Sequence, residues 1–241
     1  MLLSTRRSLL GLSLAAGTLA STRSHAAPVR LANTSEPFDL AAFERAWRAL
    51  ADEMREQAPF HDALYVARVE ALVHRLPRTE IPRLDEPSFE RDGLASGGSW
   101  GDGELGLVEI RLEPGAEIPA HNHVAYNFTT LCLEGSCEYR HYAPAAPAPA
   151  PQSDRASEWF EVEQVRAGLL EPGRVTNLMR TWDNVHWFRA GEQGAVLVDF
   201  MTHLPSIGEG FESFSALEVE RGEARGARLR RRARWVGNPY R

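Results

Sequence analysis

The sequence of 241 residues predicts an all-β sandwich or small barrel preceded by a pair of amphipathic helices. From about residue 89 onward, short segments rich in branched and aromatic residues alternate with turn signals that contain Pro and Gly, a pattern typical of all-β domains. Before residue 77, apolar residues recur every three or four positions, which predicts helices. The hydrophobic content of 43% is sufficient for one domain of ordinary size.

The first 26 residues have the features of an export signal. Arg6 and Arg7 precede an apolar stretch that runs to about Ala20, and small residues lead to a cleavage site between Ala26 and Ala27. The stretch is too short for a stable membrane anchor. The arginine pair resembles a twin-arginine signal, which directs folded proteins across the bacterial inner membrane, and an ordinary secretory signal is the open alternative. We expect residues 1–26 to be removed from an exported, periplasmic protein.

The charged residues exclude several kinds of chemistry. All 27 basic residues are arginine, so the chain has no lysine for a Schiff base, for pyridoxal phosphate or for a P-loop. Removal of residues 1–26 takes away three arginines and no acid, which changes the formal charge from −6 to −9. An acidic chain gives no general reason to expect nucleic acid as a partner. The oligomeric state stays open.

Residues 27–88 are predicted to form a helical N-terminal extension. The first helix is expected at residues 39–57 with Asp39 as its N-cap, and its apolar stripe consists of Leu40, Phe43, Trp47, Leu50 and Met54. A second helix follows Pro59 and ends before Pro77, with Tyr65, Val69, Leu72 and Leu76 in register. We expect the two helices to pack on the larger β domain.

Residues 89–241 are predicted to form the β domain. Strands are expected at residues 105–112 and 195–201, and a Pro- and Ala-rich surface loop at residues 143–152 joins two halves. The arginine-rich run from Arg225 to Arg234 alternates with apolar residues, which favours a solvated edge strand over a nucleic-acid site. Its expected ion-pair partners are Glu218, Glu220 and Glu223.

The two cysteines, Cys132 and Cys137, lie five positions apart across a predicted turn. In an oxidising compartment they could form a disulfide, and they could equally remain small core residues. The sequence favours neither alternative.

A candidate metal site lies around His121 and His123. The pair follows a Pro-Gly turn at the start of a predicted strand, where residues two apart point to the same face. Two imidazoles on one face favour iron, zinc, copper or nickel over calcium or magnesium. His186, just before another predicted strand, is the candidate for a third ligand.

These residues resemble the two motifs of the cupin family. Gly115, five residues, the His-x-His pair and a later glycine match the first motif, but Asn127 and Phe128 stand where its glutamate is expected. His186 matches the histidine of the second motif, without the Pro-x-Gly that often precedes it. The resemblance implies a cupin fold, which is a double-stranded β-helix or jelly-roll barrel.

Residues 105–205, which lack the glutamate of the first motif, resemble one branch of that family, the cysteamine dioxygenases and plant cysteine oxidases. The matching segments are residues 118–123 and 184–186 followed by residues 195–199. This resemblance implies that His121, His123 and His186 hold ferrous iron without a carboxylate ligand. It also implies that Asp199 is a catalytic acid near the substrate amine or its bound water.

The resemblance further implies an iron-dependent dioxygenase that converts a small thiol or an N-terminal cysteine to a sulfinic acid with O₂. Three neutral imidazoles leave iron its full charge, so a substrate thiolate can supply the negative charge that a carboxylate would otherwise bring. Two alternatives stay open. One is a cupin oxygenase or isomerase that acts on a non-thiol substrate, and the other is a non-catalytic periplasmic cupin that binds a metal or ligand.

The remaining histidines and the nearby arginines have less certain roles. His141 and His203 are expected to be core or surface residues, and His61 and His74 to be solvated. If one strand continues past His123, Asn127 shares its face and Tyr126 points away from the metal. Any positive group that steers an anionic substrate must be arginine, and the candidates are Arg111, Arg140, Arg180 and Arg189.

Overall fold

In the computed structural model, the helices are α1 (Leu40–Glu56) and α2 (Asp62–Val73), followed by a 3₁₀ turn at Arg78–Glu80. The strands are β1 (Leu94–Gly101), β2 (Leu105–Leu112), β3 (Glu117–Asn122), β4 (Tyr126–Pro144), β5 (Phe160–Leu170), β6 (Val175–Leu178), β7 (Val185–His203), β8 (Ala216–Val219) and β9 (Arg230–Gly237). The structure describes residues 38–57, 59–85, 87–89, 92–123, 125–145, 148–149, 153–181, 184–204, 215–220 and 229–237. The predicted signal at residues 1–26 lies outside these ranges.

Both predicted helices form close to their expected positions. Asp39 caps α1, because its side chain accepts a hydrogen bond of 2.8 Å from the backbone N–H of Ala42. Helix α2 ends at Val73, earlier than expected, and Leu76 is buried from the turn that follows it. The helical conformation is disfavoured directly before Pro77, which accounts for this early end. Neither of the described helices is long and apolar enough to cross a membrane.

The strands pair antiparallel throughout and are arranged around the two long strands β4 and β7. The C-terminal half of β7 pairs with β2 and with the N-terminal half of β4, and β1 and β6 extend this first sheet. The N-terminal half of β7 pairs with β3 and with the C-terminal half of β4 to form the second sheet, which β5 extends. Two facing sheets that share bent strands in this way form the jelly-roll barrel of the cupin fold, as the sequence predicts.

The bend from one sheet to the other is located where β4 and β7 cross. The pairing register shifts between Cys132 and Cys137, and two glycines at the crossing, Gly135 and Gly194, have positive φ angles of 69° and 74°. A Cβ atom on Gly135 would collide with the carbonyl oxygen of Gly194. Only glycine combines this backbone conformation with such a close approach, so these residues fix the corner of the barrel.

Strand β9 corrects the prediction of an arginine-rich edge strand. It pairs with β5 on one side and with β8 on the other, so it is not an edge. The expected ion pairs form in part, since Arg234 contacts Glu218 and Arg230 contacts Glu161. Both neighbouring strands supply apolar side chains, Val162 from β5 and Leu217 from β8, that pack with Ala233 and Trp235 in a small core, so β9 is held on both sides. Residues 225–228 and Glu223 lie outside the described residues.

The helices pack on the outer face of the first sheet. Phe43 and Trp47 of α1 and Tyr65 of α2 contact the apolar residues of β2, β4 and β7 that point away from the barrel interior. The Trp47 Nε1–H donates a 3.0 Å hydrogen bond to the Tyr65 hydroxyl, which lies 2.7 Å from Thr202 Oγ1. One core and one buried hydrogen-bonded chain therefore join both helices to β7.

Cys132 and Cys137 are both buried with free thiols. Burial raises the pKa of Cys132 to about 11 and that of Cys137 to about 12. Both side chains pack in the core between the two sheets. They are therefore core residues in this structure, which is one of the two alternatives that the sequence leaves open.

The Pro- and Ala-rich loop predicted at residues 143–152 lies only partly within the described residues. Strand β4 extends to Pro144, and residues 146–147 and 150–152 are outside the described ranges. The carbonyl oxygen of Pro149 accepts a 2.8 Å hydrogen bond from the Trp235 indole, which attaches this part of the loop to β9.

Candidate metal centre

His121, His123 and His186 converge inside the barrel. Their Nε2 atoms form a triangle with sides of 2.9, 2.9 and 3.0 Å. The three residues are 4%, 3% and 2% exposed, respectively. The structure thus brings together the three histidines that the sequence predicts as metal ligands, and this group could hold a metal ion.

The protonation states of the three rings suit a metal site. Nδ1 of His121 lies 2.8 Å from the carbonyl oxygen of Pro119, so Nδ1 carries the proton and Nε2 presents its lone pair to the centre. Burial lowers the pKa of His121 to about 4 and that of His123 and His186 well below the ordinary value. All three rings are therefore neutral at pH 7, the form in which imidazole binds metals.

The spacing of the nitrogen atoms also fits a metal ion. Each Nε2 of a neutral imidazole either donates or accepts a hydrogen bond, so at most two of the three mutual Nε2···Nε2 contacts can be hydrogen bonds. A point about 2.0–2.1 Å from each nitrogen, the usual metal–imidazole bond length, would see the three atoms at about 90° to one another. This is the arrangement of three ligands on one face of an octahedron, and it leaves the other positions open.

Local backbone features place each histidine. His121 pairs across the sheet with His186, which brings the end of β3 next to the start of β7. Asn122, between the two motif histidines, is held on the other face of the strand by the backbone of Ser215, which accepts from the Asn122 N–H and donates to its side chain. The backbone N–H of His123 donates to the carbonyl oxygen of Asn184 at 3.0 Å. The metal-binding face is therefore fixed from behind by backbone hydrogen bonds.

The three histidines line a cavity of about 310 Å³ between the two sheets. Its walls are mostly apolar and include Val108, Ile110, Phe128, Phe188 and Met201. Ser96, at one end of the cavity, is exposed. A cavity of this size lies at the small end of the usual range for ligand sites.

Asp199 lines the same cavity from β7 in the first sheet. The Thr130 hydroxyl donates a hydrogen bond to its carboxylate. Burial raises the pKa of Asp199 to about 7, although the Thr130 hydrogen bond opposes this rise. The residue predicted as a catalytic acid is thus a buried carboxyl group that can gain or lose a proton near neutral pH.

None of the four candidate arginines lines the cavity that contains the histidines. Arg111 contacts Glu109 and the carbonyl oxygen of Leu84 on the outside of β2. The Arg140 guanidinium lies 4.6 Å from the centre of the Trp187 ring. Arg180 and Arg189 form ion pairs with Asp62 and Glu117, respectively.

The other histidines lie outside the triad. His141 is fully buried, with its Nε2 atom 3.3 Å from Thr176 Oγ1, and is a core residue. His203 is half-buried, and its ring lies 4.9 Å from that of Tyr126. His61 and His74 are exposed, as expected.

The prediction that one strand continues past His123 is wrong. Strand β3 ends at Asn122, and β4 begins only at Tyr126 after a turn. As a result, Asn127 does not share a face with His123, and its side chain instead donates to Asp62 of α2 at 2.7 Å. Tyr126 packs against Phe128 and His203.

Sequence reasoning missed the residues that support the site. Asp62, Thr130 and Asn184 contact or position the predicted residues, but each is an ordinary polar residue in its own segment. Asp62 directly follows a histidine at the start of a predicted amphipathic helix, where an acidic residue is common for reasons of helix stability alone. Its partners lie far away along the chain, so no local pattern could have identified its role.

Comparisons with known proteins find solved structures that are similar to about half of this chain. No protein-family model matches the chain, and no curated protein matches it in sequence. KdgF from Halomonas sp. is 13% identical over 50% of this chain and 88% of its own, with a TM-score of 0.37. A protein with a double-stranded β-helix domain from Klebsiella pneumoniae is 16% identical over 56% and 88%, with a TM-score of 0.35. The coconut allergen cocosin is 17% identical over 51% and 31%, with a TM-score of 0.38.

The strand pairing and the histidine triad together define the class of protein. The chain is a cupin-fold protein with two N-terminal helices and a group of three buried histidines that could hold a metal ion inside the barrel. Among the described residues, no carboxylate belongs to this group of possible metal ligands.

Proposed function

We propose that the protein is an iron-dependent thiol dioxygenase that converts a small thiol and O₂ to a sulfinic acid. The observation that carries this proposal is the triangle of three neutral, buried Nε2 atoms without a carboxylate among them. When bound there, ferrous iron would supply the redox chemistry that passes both atoms of O₂ to the substrate sulfur. An anionic thiolate would complement a site whose protein ligands are all neutral.

The residues around the triad have separable roles in this proposal. His121, His123 and His186 hold the metal, and the apolar walls of the cavity exclude bulk water from the reacting sulfur. Asp199 accepts a hydrogen bond from Thr130, which fixes the orientation of its carboxyl group. With a pKa of about 7, Asp199 can accept a proton as the thiol enters or pair with a substrate ammonium group.

The cavity favours an aminothiol over a thiol that carries a carboxylate. None of the four candidate arginines lines the cavity, and Asp199, the acidic residue that lines it among the described residues, would repel a substrate carboxylate. An ammonium group, by contrast, would find a carboxylate partner in Asp199. The volume of about 310 Å³ suits a small free molecule better than the end of a folded polypeptide. We therefore propose cysteamine-like compounds as the preferred substrates and cysteine as a poorer one.

Oxygen consumption tests this function directly. The protein is loaded with ferrous iron under anaerobic conditions and then supplied with O₂ and cysteamine, cysteine or a peptide that begins with Cys. We expect O₂ uptake that depends on thiol, is fastest with cysteamine and is lost in His186→Ala. Iron binding with no uptake across the whole panel would contradict the proposal and favour a cupin that binds a metal or acts on a non-thiol substrate.

The proposal includes export to the periplasm. It is supported by the sequence of residues 1–26, in which Arg6 and Arg7 precede an apolar stretch and a small-residue cleavage site. A twin-arginine route would allow the barrel to fold, and to acquire iron, before it crosses the membrane.

A further inference from the structure

A buried ion pair joins the start of helix α2 to the barrel. Asp62, the first residue of α2, accepts hydrogen bonds from Arg180 Nε at 3.1 Å, from Asn127 Nδ2 at 2.7 Å and from Thr181 Oγ1 at 3.0 Å. The side chains of Asp62 and Arg180 are each only 5% exposed. A carboxylate with three donors and a buried guanidinium partner is held in one orientation, because any displacement would leave a buried charge without its partners.

This ion pair leads to the backbone that carries His186 and His123. The carbonyl oxygen of Arg180 accepts from Asn184 Nδ2 at 3.4 Å, and His186 follows Asn184 by two residues. The carbonyl oxygen of Asn184 accepts the backbone N–H of His123 at 3.0 Å. Asn184 therefore links Arg180 to two of the three histidines, because its side chain binds the Arg180 carbonyl oxygen and its backbone carbonyl accepts the N–H of His123.

A second route reaches the turn after His123. Arg180 Nη1 donates to the carbonyl oxygen of Leu204 at 3.2 Å, and the backbone N–H of Leu204 donates to the carbonyl oxygen of Ala125 at 2.9 Å. The backbone N–H of Arg180 also donates to Asn127 Oδ1 at 2.9 Å. Ala125 and Asn127, which follow His123 in the chain, are thus both linked to Arg180 by hydrogen bonds.

We propose that Asp62 and Arg180 form a positioning pair, through which helix α2 fixes the backbone segments that carry His123 and His186 at the spacing needed to bind a metal. Neither residue lines the cavity with the histidines, so the pair acts through the backbone and not on the substrate. The helical extension then has a role beyond covering the outside of the barrel. The inference rests on the metal-binding part of the proposed function and is independent of the thiol chemistry.

The expected effect is a loss of metal affinity without loss of the barrel. Residues that orient metal ligands without touching the metal typically change metal affinity by about 10- to 100-fold when they are replaced. Asp62→Asn keeps the size of the side chain but removes the charge opposite Arg180. We expect it to weaken binding of Co²⁺ by about 10- to 100-fold and to shift the visible absorption spectrum of the bound Co²⁺, because two imidazoles lose their fixed position.

Two further variants separate positioning from general stability. Glu70→Gln is the matched control, since Glu70 lies on the same helix and accepts a 2.6 Å hydrogen bond from Asn177 on β6, and the histidine that it contacts is the exposed His74, not one of the three in the barrel. We expect its Co²⁺ affinity and spectrum to equal those of the unchanged protein. Thr181→Val removes one hydrogen bond to Asp62 and leaves the ion pair intact, so we expect a smaller loss of affinity in the same direction.

The experiment titrates the full mature chain with Co²⁺ in competition with a chelator and records the spectrum and the melting temperature of each metal-free variant. A folded Asp62→Asn protein with unchanged Co²⁺ affinity and spectrum would overturn the positioning role, and so would an equal loss in Glu70→Gln. If Asp62→Asn does not fold, unchanged affinity in Thr181→Val overturns it in the same way. Failure of the unchanged protein to bind Co²⁺ would instead overturn the metal site itself.

Discussion

Each of the three histidines occupies its place for a different local reason. His121 is fixed by the hydrogen bond from its ring to the carbonyl oxygen of Pro119, two residues earlier. His123 is fixed through its backbone N–H by Asn184, and His186 by its register opposite His121. The sequence predicts the first two on one face at the start of a strand, but β3 ends at Asn122, so His123 lies just past the end of the strand, and the two rings still converge.

At the same scale, the supporting residues could not be predicted, because their contacts cross the whole chain. Asp62 and Arg180 are 118 positions apart, and Asp62 and Asn127 are 65 positions apart. Asn127 stands where a glutamate ligand is expected from the motif, and the sequence cannot show that the turn after His123 directs its side chain to α2. The ligands could be named from short sequence motifs, whereas their support depends on tertiary packing.

The raised pKa of Asp199 predicts a specific dependence of stability on pH. In the folded protein, the carboxyl group of Asp199 keeps its proton up to about pH 7, whereas in the unfolded chain it loses the proton near pH 3.8. Asp199 therefore lowers the free energy of unfolding as pH rises between these values. Asp199→Asn removes the effect. In metal-free protein, we expect the variant to gain stability relative to the unchanged protein between pH 4 and 7, by up to about 4 kcal/mol, with no further gain above pH 7.

Urea unfolding of both proteins at a series of pH values measures this difference, and contributions from the histidines are common to both and cancel. A difference between the Asp199→Asn and unchanged proteins that does not vary with pH would contradict the assignment of a raised pKa.

At the scale of elements, the two helices and the strand at residues 105–112 could be predicted from sequence, whereas the strand expected at residues 195–201 is only the C-terminal part of β7, and the pairing partners could not be predicted. The strand predicted at residues 105–112 is β2, with identical bounds, because apolar side chains alternate along it. Strand β9 was predicted as an edge because of its arginines, yet it pairs on both sides. Charge on alternate residues shows which face meets solvent, but it does not show whether the backbone has a neighbour.

The docking of the helices predicts a defined cost for one hydroxyl group. In Tyr65→Phe, the indole N–H of Trp47 stays buried and loses its acceptor, and Thr202 loses its partner on β7. We expect the free energy of unfolding to fall by about 1–3 kcal/mol, measured by urea denaturation.

A double-mutant cycle with Trp47→Phe tests the physical reason for this loss. In the Trp47→Phe background there is no indole N–H to leave without an acceptor, so removal of the Tyr65 hydroxyl should cost less. An equal cost in both backgrounds would show that the chain from Trp47 to Thr202 does not contribute as a unit.

At the scale of the whole molecule, the fold class and the division into helices and barrel could be predicted because hydrophobic periodicity changes from helical to strand-like near residue 89. The shape of the interior could not. Whether an arginine reaches the site depends on tertiary packing, and the four candidate arginines lie outside the cavity. Their position supports the proposal of an aminothiol substrate.

The proposed export signal at residues 1–26 gives a prediction for the full sequence. Arg6→Lys combined with Arg7→Lys keeps the positive charge but removes the arginine pair that twin-arginine export requires. We expect the variant to remain inside bacterial cells while the unchanged precursor is exported and begins at Ala27, as measured by cell fractionation and N-terminal sequencing. Export of the variant at the unchanged rate would show that the ordinary secretory route is used.

The central claim is that three histidines hold one iron ion inside the barrel and leave room for a thiol. X-ray absorption at the iron edge tests it most directly, on anaerobic protein loaded with ferrous iron, with and without cysteamine, and with His186→Ala as the control. We predict one iron per chain with three imidazole neighbours, a sulfur neighbour that appears only when cysteamine is added, and loss of iron in the variant. Fewer than three imidazoles, or no sulfur neighbour at saturating cysteamine, would contradict the claim.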